Sequence, residues 1–137
     1  MMKRYLIPAL FGLAVFALGA CTRAVLVPAQ PVTVPSGVRP AQVKRAVINA
    51  LDGRGWTVDK VEDGSILTTL HLRDHTATVR VTYDRKFVHI RYVSSTNLEY
   101  RQQGATRYIH RNYNGWIGFL EQDIRRNLQN ASTMNAP

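Results

Sequence analysis

Residues 66–93 read ILTTLHLRDHTATVRVTYDRKFVHIRYV, and this stretch decides the fold class. Apolar and polar residues alternate along three consecutive runs, which short polar turns at residues 73–74 and 85–86 separate. Alternation with a period of two is typical of strands that bury only one face. A two-residue turn at 73–74 sets Leu70 opposite Ala77, so the apolar faces of the runs coincide. The stretch therefore predicts three antiparallel strands joined as hairpins.

A fourth strand and two helices extend this core in both directions. A strand starting at Trp56 reaches the first run through Asp63-Gly64, and the parity of the apolar residues predicts a three-residue loop there. Apolar residues at helical spacing precede this strand, at Val43, Ala46, Val47, Ala50 and Leu51. A similar stripe predicts a second helix over residues 107–129, after a loop at 94–106. The sequence thus predicts an α+β fold, a four-stranded antiparallel sheet with two helices on one face, in the order α-β-β-β-β-α.

The polar face of the predicted sheet is the first candidate binding surface. It carries threonine, histidine and arginine, at Thr69, His71, Thr76, Thr78, Arg80, Thr82, His89 and Arg91. Both helices are assigned to the opposite face, so no predicted element covers this one. We expect Arg80, His89 and Arg91 to contribute to binding there.

The loop and the start of the second helix form the second candidate surface. Aromatic, amide and basic groups are concentrated there, with Asn97, Tyr100, Arg101, His110, Arg111 and Asn114 as candidate binding residues. Aromatic and arginine side chains dominate many binding surfaces. An alternative is that Tyr100, Tyr113 and Trp116 belong to the core, while the polar groups satisfy the loop backbone.

The N-terminus has the pattern of an export signal. Lys3 and Arg4 precede an apolar run over residues 5–20, and small residues then lead to Cys21, the only cysteine. This order predicts a cleaved signal peptide. The predicted organisation is a signal peptide at 1–20, a proline-rich tether at 21–38, a single α+β domain at 39–129 and a disordered tail at 130–137. An alternative is that residues 25–27 or 32–34 dock as an edge strand.

The segment Leu18-Gly19-Ala20-Cys21 resembles the lipobox of bacterial lipoproteins. The resemblance implies cleavage between Ala20 and Cys21 and attachment of acyl chains such as palmitate to Cys21. Residue 22 is Thr and not Asp, which resembles the sorting signal for the periplasmic face of the outer membrane in Gram-negative cells. Several acyl chains are expected to hold a protein stably, since one chain gives only marginal binding.

A second resemblance covers the C-terminal half of the chain. It is carried by Asn97-Leu98-x-Tyr100 and by Ile109-His110-x-x-Tyr113-Asn114-x-Trp116. These patterns are similar to those of a family of small, uncharacterised proteobacterial lipoproteins. The resemblance implies an envelope location and a fold, and it implies no activity.

The charge of the chain points to anionic partners of the cell envelope. The net charge is +9, and without Lys3 and Arg4 it is +7, because 16 basic residues remain against 9 acidic ones. A basic protein often binds nucleic acid, but export argues against this partner. Phospholipid head groups, lipopolysaccharide phosphates, peptidoglycan carboxylates or an envelope protein are the expected partners. The alternative is that the charge is scattered and serves solubility.

The sequence contains no recognisable catalytic or metal-binding pattern. Its four histidines have no carboxylate or thiol at ligand spacing, so we expect no metal and no cofactor. The serines lie in predicted turns, loop or tail, outside any nucleophile elbow. We therefore expect a non-enzymatic binding module. The rival hypothesis is a module that binds a small ligand or lipid near Tyr92, Tyr100 and Trp116, which would require a cavity of roughly a few hundred Å³.

Overall fold

The computed structural model describes residues 21–137, and the predicted signal peptide lies outside this range. Eight strands and two helices occur in chain order: β1 Arg23–Val25, β2 Val32–Thr33, α1 Pro40–Gly53, β3 Trp56–Glu62, β4 Ser65–Leu72, β5 His75–Tyr83, β6 Phe87–Thr96, β7 Arg101–Gln103, β8 Thr106–His110 and α2 Arg111–Met134. The α+β class is confirmed.

The larger sheet has five antiparallel strands in the order β2-β6-β5-β4-β3. Its central hairpins have the predicted register, since Leu70 pairs with Ala77 and Val81 pairs with Ile90. The prediction of a single four-stranded sheet is wrong, because β2 adds a fifth strand to this sheet. In addition, β1, β8 and β7 form a separate three-stranded sheet.

The connection between β3 and β4 shows how the strand parity is resolved. Glu62 pairs with Ser65, so the turn has two residues and not the predicted three. Gly64 takes a left-handed φ of 68° in this turn. The register instead shifts between Val58 and Lys60. A β-bulge accommodates one extra residue within a strand. The extra residue that the strand parity requires therefore lies within β3 and not in the loop.

The segment 21–38 is part of the fold, which corrects the prediction of a tether. β1 pairs with β8, and β2 pairs with β6. Four apolar side chains of the segment are buried: Leu26, Val32, Val34 and Val38. Burial of this much apolar surface outweighs the lack of backbone donors at the prolines between the strands. The alternative of docked edge strands is therefore the correct one.

The region 94–110 is more regular than predicted. β6 continues to Thr96, and β7 and β8 form a hairpin around Gly104, which has a φ of 59°. Residues 107–110 are a strand and not the first turn of the helix, because they pair with β1 on one side and β7 on the other. The helix starts after His110, whose Nδ1 accepts a hydrogen bond from the Asn112 backbone nitrogen at 3.2 Å.

Residues 130–134 continue α2, so the predicted tail at 130–137 is helical over its first five residues. α2 continues to Met134, and Ala131 is buried. Asn135 Nδ2 donates to the carbonyl oxygen of Gly37 at 3.2 Å and to Oε1 of Gln42 at 2.9 Å. These contacts attach the end of α2 to the start of α1.

Both helices and both sheets contribute to one hydrophobic core. The buried stripe of α1 is the predicted one, and α2 buries an apolar stripe interrupted by one carboxylate, Asp123. Arg54 Nε donates to Asp123 Oδ2 at 2.6 Å, and Arg126 lies 3.0 Å from Oδ1. The Arg54 guanidinium also lies 4.8 Å above the ring of Phe119. This ion pair joins the end of α1 to the middle of α2.

Candidate functional site

A cleft of about 380 Å³ opens between β6, β8, α2 and the segment that joins β1 to β2. It is lined by residues 26–29, residues 89–92, Arg107, Tyr113 and Ile117. Its volume is in the range of ligand sites in proteins, which are commonly about 300–1,000 Å³. The cleft combines strand backbone, basic side chains and tyrosines.

The cleft follows from the short pairing between β2 and β6. β2 pairs only at Val88 and Phe87, whereas β6 continues to Thr96. Within residues 21–137, no further strand pairs with this edge of β6. An unpaired edge presents backbone donors and acceptors that an extended chain can use. The cleft therefore lies along a potential site for strand addition.

The opposite wall of the cleft is held in place by α2. Asn114 Oδ1 accepts from the Val27 backbone nitrogen at 3.1 Å, and its Nδ2 donates to the Val25 carbonyl oxygen at 2.9 Å. Glu121 Oε1 accepts from the Gln30 backbone nitrogen at 3.0 Å. These bonds occupy the polar backbone of a proline-containing segment, so the wall is fixed before any ligand binds.

The side chains that line the cleft favour an anionic ligand. His89, Arg91 and Arg107 contribute to the lining, and no Asp or Glu is among the lining residues. Clustered charges of one sign raise the local concentration of oppositely charged ligands.

Three tyrosines contact one another at the cleft, of which Tyr92 and Tyr113 line it and Tyr100 lies against Tyr92. The Tyr92 ring stacks on Tyr100 with centroids 4.7 Å apart, and it meets Tyr113 edge-on at 5.7 Å. Burial raises the pKa of Tyr113 and, to a smaller extent, the pKa of Tyr92. Both phenols therefore stay neutral at physiological pH. Such aromatic contacts stabilise their geometry beyond the area they bury.

The structure separates the residues predicted for the open sheet face. His89 and Arg91 line the cleft. Arg80 instead points towards β3 and β4, because its Nη1 donates to Ser65 Oγ at 3.1 Å and lies 3.8 Å from Glu62 Oε2. Arg80 is therefore committed to a surface network and contributes only its long-range charge.

Three residues predicted to bind a partner have hydrogen bonds within the fold. Asn97, with a φ of 58°, donates from Nδ2 to the Asp74 carbonyl oxygen at 3.2 Å. His110 caps α2, and Asn114 holds the wall of the cleft. Asn97 and Asn114 thus bond to backbone outside the loop at 94–106, and of the three aromatic residues that the alternative interpretation assigns to the core only Tyr113 is fully buried.

The other predicted residues lie around Cys21 or beside the tyrosines. Arg101 and Cys21 line a second concavity of about 320 Å³. The Arg111 backbone nitrogen donates to the Thr22 carbonyl oxygen at 2.8 Å, while its side chain is exposed. Tyr100 covers Tyr92. The Cys21 side chain is exposed and forms no disulfide.

Sequence reasoning missed Arg107 and the wall formed by residues 26–29. The sequence patterns place Arg107 in a helix and residues 26–29 in a tether. The available signal was the alternation of Thr106, Tyr108 and His110 with Arg107 and Ile109, which is also compatible with a strand.

Two features of the described residues bear on other kinds of site. In residues 21–137, no three His, Cys, Asp or Glu side chains are arranged to hold a metal ion. In the same range, no helix is both long and apolar enough to cross a membrane.

Comparison with known proteins gives no match, so the geometry of the site is the basis for inferring a function. No protein-family model matches the chain, and neither a curated protein nor a solved structure matches it.

Proposed function

We propose that this chain is an envelope lipoprotein, anchored through acylated Cys21 at the periplasmic face of the outer membrane. It acts there as a non-enzymatic binding module. The cleft along β6 receives an extended, acidic segment of an envelope protein, and an anionic envelope polymer is the second partner to be tested. The lipobox resemblance and the exposed position of Cys21 support the anchor.

One observation carries the binding proposal: the unpaired edge of β6 and the three basic side chains belong to the same cleft. A peptide that pairs with β6 would gain main-chain hydrogen bonds, and its acidic side chains would meet His89, Arg91 and Arg107. An uncharged or basic peptide would lack the second contribution. Main-chain pairing with β6 would thus supply affinity for any extended peptide, and the basic side chains would supply the preference for an acidic one.

Photo-crosslinking in intact cells tests this function. A photoreactive amino acid at Arg91 is compared with one at Arg45, which is exposed on α1 and does not line the cleft. We expect a specific envelope protein to be crosslinked from position 91 only. Recovery of glycan or lipid alone would contradict a protein partner and would favour the polymer or the small ligand.

Two variants separate the anchor from the cleft. Cys21→Ala should release the protein from the membrane fraction while leaving the cleft intact. Arg91→Glu should leave the protein in the membrane and weaken capture by about tenfold, since charged contacts at interfaces commonly contribute at least 1.4 kcal/mol. Arg45→Glu changes the net charge equally and serves as the matched control.

A second candidate function is favoured by the volume of the cleft. About 380 Å³ beside Tyr92 and Tyr113 suffices for a small anionic ligand or part of a lipid. Native mass spectrometry of the protein extracted from membranes distinguishes the two functions. A retained small molecule that Arg91→Glu releases would support the ligand-binding function.

A further inference from the structure

Acylated Cys21 would have almost no freedom to move away from the domain. Thr22 is already fixed, because its Oγ1 donates to Glu99 Oε2 at 2.9 Å and its carbonyl oxygen accepts from Arg111. β1 begins at the next residue, Arg23. Adjacent Cα atoms are about 3.8 Å apart. Lipid chains on Cys21 would therefore bring the neighbouring surface of the domain to the bilayer.

That surface is the outer face of the three-stranded sheet. Ala24 and Ile109 pair with each other, and Ile109 is fully buried, so the residues on either side of them point outwards. The outer face consists of Arg23, Val25, Arg101, Gln103, Thr106, Tyr108 and His110. It contains two arginines, a tyrosine and an apolar side chain, and it contains no carboxylate.

Several of these side chains meet beside the cysteine. The concavity that Cys21 lines is completed by Arg23, Arg101, Gln103 and Tyr108. The attachment point of the lipid and the arginines thus share one surface.

The arginines on this face are not committed to internal ion pairs. Among the residues that the structure describes, neither Arg23 nor Arg101 forms a salt bridge. Arg23 Nε is buried and has no hydrogen-bond acceptor there, so Arg23 would bind a phosphate through its terminal Nη atoms. A guanidinium group binds phosphate with two parallel hydrogen bonds, so a head-group phosphate suits both side chains.

The remaining side chains suit the boundary between head groups and acyl chains. Tyrosine is enriched at membrane interfaces, because its ring is apolar and its hydroxyl is polar. Val25 is 51% exposed beside Tyr108, its partner across the ladder. An exposed valine next to a lipid anchor can bury its surface in the bilayer.

From these observations we infer that the outer face of the three-stranded sheet lies directly on the bilayer, with Arg23 and Arg101 bound to phospholipid phosphates. This inference rests on the proposed acylation of Cys21. It gives the domain a fixed orientation on the membrane, which a flexible tether would not provide.

Site-specific fluorescence quenching tests this orientation. The full lipoprotein is reconstituted into vesicles of phosphatidylethanolamine and phosphatidylglycerol that contain spin-labelled lipids. Since acylation consumes the Cys21 thiol, Gln103→Cys or Asn49→Cys supplies the only reactive thiol for a fluorophore. Gln103 lies on the proposed membrane face, and Asn49 is exposed on α1. We expect strong quenching at position 103 and little at position 49.

A charge-reversal variant tests the role of the arginines. Arg23→Glu with Arg101→Glu should reduce quenching at position 103 by about half or more, because each basic residue near an anionic surface contributes to attraction. Arg45→Glu with Arg125→Glu carries the same change of charge at exposed helix positions and should leave quenching unchanged. Equal quenching at positions 103 and 49, or none at 103, would overturn the orientation.

The failure of the anchor is distinguishable from the failure of the orientation. Mass spectrometry of the purified protein shows directly whether Cys21 carries acyl chains. A protein without them, which does not float with vesicles, refutes the proposed function. An acylated protein that floats with vesicles but lacks the difference between positions 103 and 49 refutes only the orientation.

Discussion

The two sheets of this molecule differ in how far apart along the chain their paired strands lie. β3, β4, β5 and β6 are consecutive, and short turns join each to the next. The three-stranded sheet instead requires β1, at the start of the described chain, to pair with β8, immediately before the last helix. Loop closure costs more conformational entropy as the loop becomes longer.

Because of this difference, the two sheets depend to different degrees on the remainder of the fold. The hairpins of the five-stranded sheet can form from local contacts, whereas β1 finds its partner only when α2 and β8 are in place. We therefore expect β1 and β8 to open more readily than β4 and β5, although both sheets share one core. Four substitutions, from the largest to the smallest expected effect, examine this comparison.

Ile66→Ala removes a fully buried side chain from β4. We expect a loss of about 3 kcal/mol in the free energy of unfolding, since buried Leu, Ile or Met to Ala substitutions typically cost about 2–5 kcal/mol. Denaturant unfolding followed by circular dichroism measures the loss. Leu72→Ala on the same strand, where the side chain is 44% exposed, is the control and should cost far less.

Leu26→Ala examines the segment that the sequence had assigned to a tether. Leu26 is 5% exposed and follows β1, whereas its neighbour Val27 is 56% exposed. We expect Leu26→Ala to lower the free energy of unfolding by about 2 kcal/mol, and Val27→Ala to change it little. Equal and small effects of the two substitutions would show that this segment is not packed in solution.

Asp123→Asn weakens the ion pair that joins the two helices. The hydrogen bond from Arg54 is the main cause of a lowered pKa at Asp123, and Arg126 lowers it further. Loss of the charge should cost about 1–2 kcal/mol at neutral pH, as expected for hydrogen bonds to charged groups. Asp52→Asn, at an exposed position of α1, is the control.

The same pair predicts a pH dependence of stability. Because the pKa of folded Asp123 is lowered from 3.8, its stabilising contribution is complete above that pH and is lost as the pH falls through the folded value. The difference between the wild type and Asp123→Asn should therefore shrink below about pH 4. Unfolding curves across this range measure it, and a constant difference would contradict the assignment.

Gly64→Ala should have the smallest effect of the four. Gly64 has a φ of 68°, and an added Cβ would lie 3.1 Å from the Tyr83 carbonyl oxygen. We expect a loss of about 1 kcal/mol from the left-handed conformation. Gly53→Ala, at the end of α1 and with no atom within 4 Å of an added Cβ, should be neutral or stabilising. A shift in thermal midpoint measures both.

The sequence predicted the five-stranded sheet better than the three-stranded one for a physical reason. Alternation and turn length determine the register of adjacent strands, so the pairing of Leu70 with Ala77 followed from local residues. β1 has only three residues and no periodicity, and its partner lies far along the chain. No local pattern predicts such a pairing.

The candidate site was partly predicted for the same reason. His89 and Arg91 lie on a strand whose polar face the alternation had revealed. Arg107 and residues 26–29 belong to the long-range part of the fold, so the cleft they complete is apparent only in three dimensions. The rival hypothesis places a pocket near Tyr92, Tyr100 and Trp116, and of these three residues only Tyr92 lines the cleft.

Hydrogen exchange at individual backbone amides tests the central claim, that the residues after Cys21 belong to the folded domain. Leu26 donates to the Arg107 carbonyl oxygen at 2.8 Å, and Arg111 donates to that of Thr22 at 2.8 Å. We expect both amides to be protected, though less than the central amides of β4 and β5. Exchange of the Leu26 and Arg111 amides at the rate of an unfolded chain would contradict the claim and restore a tether after Cys21.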